Sequence, residues 1–283
     1  MKILVTGANG FTGGHFIKMA RTAGHEVHAL QADLLQPAAL QHEIKQAKPD
    51  RVIHLAAISF VGHADTEAFY RVNVQGTLNV LDALTKLPKR PQSVLLASSA
   101  NVYGNCTESP IREGQCPAPV NHYAASKLAM EHLARAQAGD LPVFFTRPFN
   151  YTGVGQSPSF VIPKLVAHFA ERKPMIELGN LTVEREFNDV RWVCNAYLQL
   201  LDHAAPGDTY NICTGLTYTL QHVINTLVEL TGHTLQVQVN PAFVRASEIG
   251  RLCGDPGKLL QCTGALQEIS LRDTLSEMLQ NAL

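Results

Sequence analysis

Tyr123 and Lys127 stand four residues apart in Tyr123-Ala124-Ala125-Ser126-Lys127. On a helix that spacing puts a phenol and an ammonium on one face. A cation beside a phenol favours the phenolate and draws its pKa toward working pH. Tyr123 is then a usable general acid or base. The same pattern also arises by chance, as a surface tyrosine beside a solvated lysine, so the pair needs company. Ser98-Ser99-Ala100-Asn101-Val102-Tyr103-Gly104 supplies it, opening where an apolar run over 93–98 ends. A hydroxyl at the carboxyl end of a strand can donate to a carbonyl oxygen that gains negative charge. Ser99 is the candidate, against the plainer role of a strand-end cap or turn residue.

A third group is Gly7-Ala8-Asn9-Gly10-Phe11-Thr12-Gly13. The first glycines let the backbone turn tightly and approach a pyrophosphate, and the last lets helix and strand pack closely. Phosphates then rest on the free N–H groups of a helix N-terminus. The spacing is GxxGxxG rather than GxGxxG. A tight structural turn is the plain alternative. The position between an apolar strand and a helix, at the very start of the chain, argues for dinucleotide binding.

These groups need a frame. Apolar runs predict strands over 3–6, 26–30, 51–55, 93–98 and 142–147. Helical patterns lie between them over 11–23, 37–47, 65–84 and 121–137. Such alternation predicts an α/β fold, a doubly wound parallel sheet covered on both faces. After Pro148 the pattern shortens. A strand over 208–212 is expected to return to the sheet, followed by a helix over 220–230 and an alternating edge strand over 235–239. We expect a cofactor domain over 1–150 with a return segment at about 185–212, and a smaller C-terminal lobe over 151–283 for the substrate.

The 283 residues carry a net charge of -1, which offers no bulk field for nucleic acid or an anionic membrane. The cysteines at 106, 116, 194, 213, 253 and 262 form no CxxC pair and no metal-ligand spacing, so we expect thiols in a reducing cytosol and no metal. Met1-Lys2-Ile3-Leu4-Val5 runs straight into the glycine motif, so no signal peptide is expected, and no apolar run is long enough to span a bilayer. The expected location is the cytoplasm. An acidic residue about 20 residues after the glycine loop would bind a ribose 2′-hydroxyl. The second strand instead runs into Gln31-Ala32-Asp33, with neither a carboxylate at its end nor an arginine for a 2′-phosphate. NAD and NADP both stay open, and the missing carboxylate tips the reading toward NADP.

Together Gly7, Gly10, Gly13, Ser99, Tyr123 and Lys127 resemble the extended short-chain dehydrogenase/reductase family over nearly the whole chain. His54-Leu55-Ala56-Ala57, Asn73 in Val72-Asn73-Val74-Gln75-Gly76-Thr77, and Arg147-Pro148-Phe149-Asn150 match it further. The resemblance implies a Rossmann sheet and an NAD(P) cofactor. It places Gly7, Asn9, Gly10, Phe11, Thr12, Gly13, Leu55, Ala56, Ala57, Asn73 and Ser98 along that cofactor. Asp33 and Leu34 fall at the adenine and Pro148 beside the nicotinamide. It gives proton transfer to Tyr123 and Lys127, with Lys127 also holding the nicotinamide ribose. The plain reading of 54–57 is strand core, and of Asn73 a polar helix residue.

Within the family, a further series is similar to the branch acting on GDP-linked 4-keto-6-deoxy sugars. It comprises Phe160-Val161-Ile162-Pro163-Lys164, Leu178-Gly179-Asn180-Leu181, Arg185-Glu186-Phe187-Asn188-Asp189-Val190 and Arg245-Ala246-Ser247-Glu248. By that resemblance Arg185 and Arg245 meet phosphate, Asn150 the diphosphate or sugar, Glu248 a ribose, and Phe160 to Lys164, with Val161 and Lys164 in contact, wrap the base. Fork-like arginines suit a diphosphate, although a surface ion pair is the plain alternative for each. Ser99, Ala100 and Asn101 would face the sugar. Dehydratases of this branch carry an acid just before the Val-Tyr-Gly, where this chain has Ala100-Asn101; neither can ionise. Simple reduction of a nucleotide-linked 4-keto sugar is therefore expected, with GDP favoured over dTDP or CDP. His122 stands where the family commonly has proline, and Tyr151 where histidine is usual. The alternatives are an NAD-retaining 4-epimerase of nucleotide sugars and a non-catalytic NAD(P)-binding regulatory protein. The resemblance also implies a homodimer, joined through the helices over 65–84 and 121–137.

Overall fold

Six short strands, the central ones mostly apolar, pair into one parallel sheet. The computed structural model describes residues 1–60, 64–243 and 250–282. Its main strands are β1 (Lys2–Thr6), β2 (Glu26–Ala29), β3 (Arg51–His54), β4 (Ser93–Ala97), β5 (Val143–Pro148) and β6 (Thr209–Ile212). They lie in the order β6-β5-β4-β3-β1-β2, every pair parallel. The strand expected to return after the C-terminal excursion is β6, against β5. β1, β3, β4 and β5 are buried along almost their whole length, as continuous Val/Ile/Leu/Phe runs require in a sheet covered on both faces.

Helices α1 (Phe11–Thr22) and α6 (Val190–His203) cover one face, where Phe16, Val193 and Tyr197 pack on Ile3, Val5 and Phe144. On the other face lie α2 (Pro37–Ala47), α3 (66–85) and α4 (His122–Gln137), where Ile44, Leu81 and Met130 pack on Leu4, Val52 and Leu96. The helix expected over 65–84 is present as α3, but not as a regular α-helix. Thr66–Ala68 leads into a π-helical stretch, Phe69–Gly76, and then Thr77–Thr85. Wider turns of this kind mark functional sites, and this one carries Asn73.

The third apolar cluster belongs to α5 (Val161–Ala170), α7 (Leu220–Thr231) and the helix Leu271–Gln280, through Leu165, Phe169, Leu227 and Leu275. The alternating strand expected over 235–239 is Gln236–Val239, which pairs in parallel with Met175–Leu178. Among the described residues no helix is long and apolar enough to cross a membrane.

The register brings the strand ends level. Thr6 pairs with His54, His54 with Leu96, Ala97 with Thr146 and Pro148 with Ile212. Gly7, Leu55, Ser98 and Phe149 therefore leave the sheet along one edge. β2 and β3 flank β1 on opposite sides, so the crevice beyond β1 is the topological switch point, where ligands of such sheets bind.

Candidate active site

The glycine loop is built around one left-handed residue. Gly7 has φ +69°, and a Cβ there would lie 2.7 Å from the Ala56 nitrogen. Only glycine lets the β1 loop press against the strand-end segment Leu55–Ala57. A Cβ on Gly13 would lie 2.1 Å from the Gly7 carbonyl oxygen, so α1 sits directly on the loop. Gly10 caps α1 without a side chain, which leaves first-turn N–H groups to an external acceptor. Asn9, Gly10 and Phe11 also border an open cleft of about 350 Å³ that continues past His15, Lys18 and Val154. The free N–H groups at the start of α1 are what fits the pyrophosphate of a dinucleotide. Thr12 reaches sideways: its Oγ1 is hydrogen-bonded to Tyr151 Oη at 2.8 Å, and the Phe11 ring stacks on Tyr151 at 6.1 Å.

Beyond β2, Asp33 Oδ1 accepts from the Leu35 nitrogen (2.9 Å), and Leu34 is buried against Gly76. The sequence shows no carboxylate at this strand end, yet the structure brings one from α2. Glu43 Oε1 accepts from Gln31 N (3.0 Å) and is paired with His28 Nε2 (2.8 Å), while Oε2 accepts from Ala32 N at 2.7 Å.

The reacting groups converge beyond β4. Asn121 Oδ1 accepts from Ala124 N (2.9 Å) and fixes the start of α4, setting Tyr123 and Lys127 one turn apart on its inner face. Both are buried, 8% and 4% exposed. Ser99 lies beside the Tyr123 phenol and lowers its pKa against burial. Ser99 Oγ in turn accepts from the backbone N (3.2 Å) and the side-chain Nδ2 (3.1 Å) of Asn101. Lys127 Nζ donates to the Ala97 carbonyl at 2.6 Å. Ser98 is buried, and its Oγ has no hydrogen-bond partner among the described residues.

One expectation needs correcting. The lysine was expected to draw the tyrosine pKa down. Burial instead raises the Tyr123 pKa, and the opposing influence is Ser99, not Lys127. The ammonium is turned to the Ala97 carbonyl, and its own pKa is pushed down to about 8, chiefly by burial, with Glu131 opposing.

A buried polar chain ties the cofactor loop to α4. Ala56 N donates to Thr6 Oγ1 (3.1 Å), and Thr6 Oγ1 is bonded to His54 Nδ1 at 2.8 Å. His54 Nε2 is bonded to Thr77 Oγ1 (2.9 Å), which donates to the Asn73 carbonyl at 2.7 Å. Those partners assign the proton of neutral His54 to Nε2. Asn73 exchanges hydrogen bonds with the Ile58 backbone at 2.9 and 3.1 Å and donates to Ser126 Oγ at 3.1 Å. Ser126 Oγ donates to the Tyr123 carbonyl at 2.7 Å. Asn73 thus fastens the loop after β3 to the tyrosine helix, a link the motif alone did not show.

The substrate-side residues are more dispersed. Asn150 is exposed beside half-buried Pro148, and its carbonyl accepts from Asn188 N at 3.1 Å. Ala100 is buried among Val102, Tyr103, Ile111 and Phe149. Val161 opens α5. Lys164 Nζ donates to the Glu177 carbonyl (2.9 Å) and lies 5.2 Å from the Phe243 ring centre. Arg185, half-buried, donates to the Glu184 carbonyl at 2.8 Å. Next to it Glu186, which drew no attention in the sequence, is fully buried. It accepts from Asn188 Nδ2, Thr214 N and Gly254 N at 2.8–2.9 Å, pinning three segments together. Arg245 and Glu248 lie outside the described residues.

A phosphate-holding loop at the switch point and a serine–tyrosine–lysine set at the same edge are what an enzyme working through a bound nicotinamide needs. Residues 3–213 match the NAD dependent epimerase/dehydratase family, and the chain belongs to it. It is 37% identical over 289 residues to GDP-6-deoxy-D-talose 4-dehydrogenase of Aggregatibacter actinomycetemcomitans, covering 100% of this chain and 98% of the relative. It is 36% identical over 297 residues to GDP-6-deoxy-D-mannose reductase of Pseudomonas aeruginosa, covering 99% and 96%. The structure of RMD from P. aeruginosa complexed with NADPH superposes with a TM-score of 0.91 at 33% identity, covering 99% and 97% of the two chains. The cofactor of this chain is a nicotinamide dinucleotide, NAD or NADP.

Proposed function

We propose that the chain reduces the C4 ketone of a nucleotide-linked 4-keto-6-deoxy-hexose, GDP-linked, to the corresponding 6-deoxy sugar. The observation that carries this reading is the Asn101–Ser99 hydrogen-bonded pair beside the buried Tyr123, in which no member is a carboxylic acid. Water elimination needs a further acid or base at that point, and reduction does not. Both GDP-sugar relatives support the substrate class. Their sugars differ only in configuration at C4, the carbon that a 4-ketone occupies.

When bound, reduced nicotinamide supplies the hydride. The chain's own groups do the rest. Ser99 donates to the ketone oxygen, Tyr123 protonates the alkoxide as it forms, and Lys127 supports the phenolate left behind and holds the nicotinamide ribose. Asn150, Val161, Lys164, Arg185, Arg245 and Glu248 are assigned to the nucleotide and sugar. Such positioning contributes several orders of magnitude to rate. Residues 1–150 with 185–212 form the cofactor domain, and most of 151–283 the substrate lobe. The enzyme is assigned to the cytoplasm as a homodimer. The pairing surface is α3 and α4, where Tyr70 and Leu133 are 39% and 47% exposed.

The test supplies a GDP-4-keto-6-deoxy-hexose and follows nicotinamide oxidation, with the product's C4 configuration read by NMR. Stoichiometric oxidation, lost by about 10²–10⁴-fold in Tyr123→Phe, is the expected result. Tightly retained NAD with interconversion of C4 epimers and no net consumption would replace reductase by epimerase. Dinucleotide binding without turnover across nucleotide sugars would leave a regulatory protein.

A further inference from the structure

Glu43 brings a carboxylate to a strand end that has none of its own. β2 runs beside β1 with Ala29 opposite Val5, and Leu30 N donates to the Val5 carbonyl at 2.9 Å. The turn after β2 therefore opens next to the glycine loop. In dinucleotide-binding sheets this strand end meets the adenosine ribose. A carboxylate there serves a free 2′-hydroxyl, and an arginine serves a 2′-phosphate. Here Glu43 arrives from α2, with its side chain 19% exposed. It takes the N–H groups of Gln31 and Ala32 and pairs with His28. From Glu26 to Gln46 the chain has one lysine, Lys45, and no arginine.

A 2′-phosphate needs donors, and the local ones are already held by an internal anion. To bind them it would have to displace Glu43 or sit beside it as a like charge. A 2′-hydroxyl carries no charge and can still donate to a carboxylate oxygen. Burial opposes ionisation of Glu43. The hydrogen bonds from the Gln31 backbone, His28 and the Ala32 backbone outweigh it and hold the carboxyl below its ordinary pKa, so the anion is present at neutral pH.

We propose that Glu43 is a specificity residue, selecting NAD(H) over NADP(H) by filling the anion position at the end of β2. The inference rests on the dinucleotide reading of the site. It departs from the lean toward NADP drawn from the sequence, and sets this chain apart from the related structure solved with NADPH.

The test is direct titration of the purified chain with NADH and with NADPH, followed by nicotinamide fluorescence or calorimetry, without substrate. The wild type is expected to bind NADH at least about tenfold more tightly, equal to about 1.4 kcal/mol. Glu43→Gln removes the charge. It should strengthen NADPH binding relative to NADH, bringing the ratio near one. Raising salt in the wild type should narrow the ratio in the same direction, a measurement that needs no variant to fold. A wild-type ratio near one or favouring NADPH overturns the inference, as does a ratio that neither salt nor Glu43→Gln moves while both dinucleotides bind. Binding of neither dinucleotide overturns the underlying cofactor reading, and this inference with it.

Discussion

Asn101 donates twice to Ser99 Oγ, from its backbone at 3.2 Å and its side chain at 3.1 Å. A hydroxyl oxygen has two lone pairs and one proton. With both lone pairs filled, Ser99 is left as a donor, and its one proton is the one the proposed reduction aims at the ketone oxygen. Asn101→Ala should free Ser99 to rotate and lower kcat by about tenfold or more, with little change in KM. Asn101→Asp should do more harm, because a carboxylate accepts the Ser99 proton. Its activity should partly recover as the pH is lowered toward the carboxylate's own range, and kcat against pH for the three proteins checks this.

Lys127 sets a second pH limit. Its pKa, pushed down to about 8 by burial, means that the ammonium loses its proton at mildly alkaline pH. Above that point Lys127 no longer brings a charge to the site. Reduction should therefore hold up to about pH 8 and fall as pH rises further. Lys127→Met should be slow throughout and lack this alkaline limb, read from kcat/KM profiles.

The sheet was legible because its central strands are mostly apolar runs and its helices carry apolar residues at helical spacing. Even β6, over sixty residues downstream of β5 by way of another lobe, announced itself by composition. The glycine loop and the Tyr123–Lys127 pair were legible because their spacing is the chemistry. What stayed hidden depends on orientation or on partners distant in sequence. The π-helical stretch Phe69–Gly76 shifts backbone hydrogen bonds without changing which residues are apolar. Lys127 turns toward Ala97, and Glu43 reaches Gln31 across a strand–helix connection; neither leaves a pattern in the residues themselves. Asn73 could be read as a motif member, but not as a clasp between the loop after β3 and α4.

His54 predicts how the fold responds to acid. It is fully buried, and burial together with the Lys127 charge lowers its pKa from 6.5 to about 3. Unfolded, it takes a proton as pH falls below 6.5; folded, it stays neutral until about 3. Between these values the unfolded chain binds more protons, so stability must fall as pH falls through that window. The full effect is on the order of 5 kcal/mol. Thermal unfolding followed from neutral to acid pH should show this loss. His54→Asn, which can still bridge Thr6 and Thr77, should show a shallower one, and equal slopes for the two proteins would remove His54 as the cause.

Glu131 and Arg147 join the tyrosine helix to β5 through a bidentate pair, Nε to Oε1 at 3.0 Å and Nη2 to Oε2 at 2.7 Å. Both side chains are almost fully buried, and the guanidinium also lies 4.9 Å from the Tyr103 ring centre. Burial opposes the arginine's charge, but Glu131 more than compensates and holds it protonated. Removing one partner strands a buried charge, so Glu131→Ala should cost about 3–5 kcal/mol in urea unfolding. The double change Glu131→Leu with Arg147→Met should cost less than either single truncation, because no charge is left behind. Glu131 also raises the Lys127 pKa, one turn back along α4. Glu131→Gln should therefore move the alkaline limb of the activity profile to lower pH. A limb that stays in place while stability drops would confine the pair to holding α4 against the sheet.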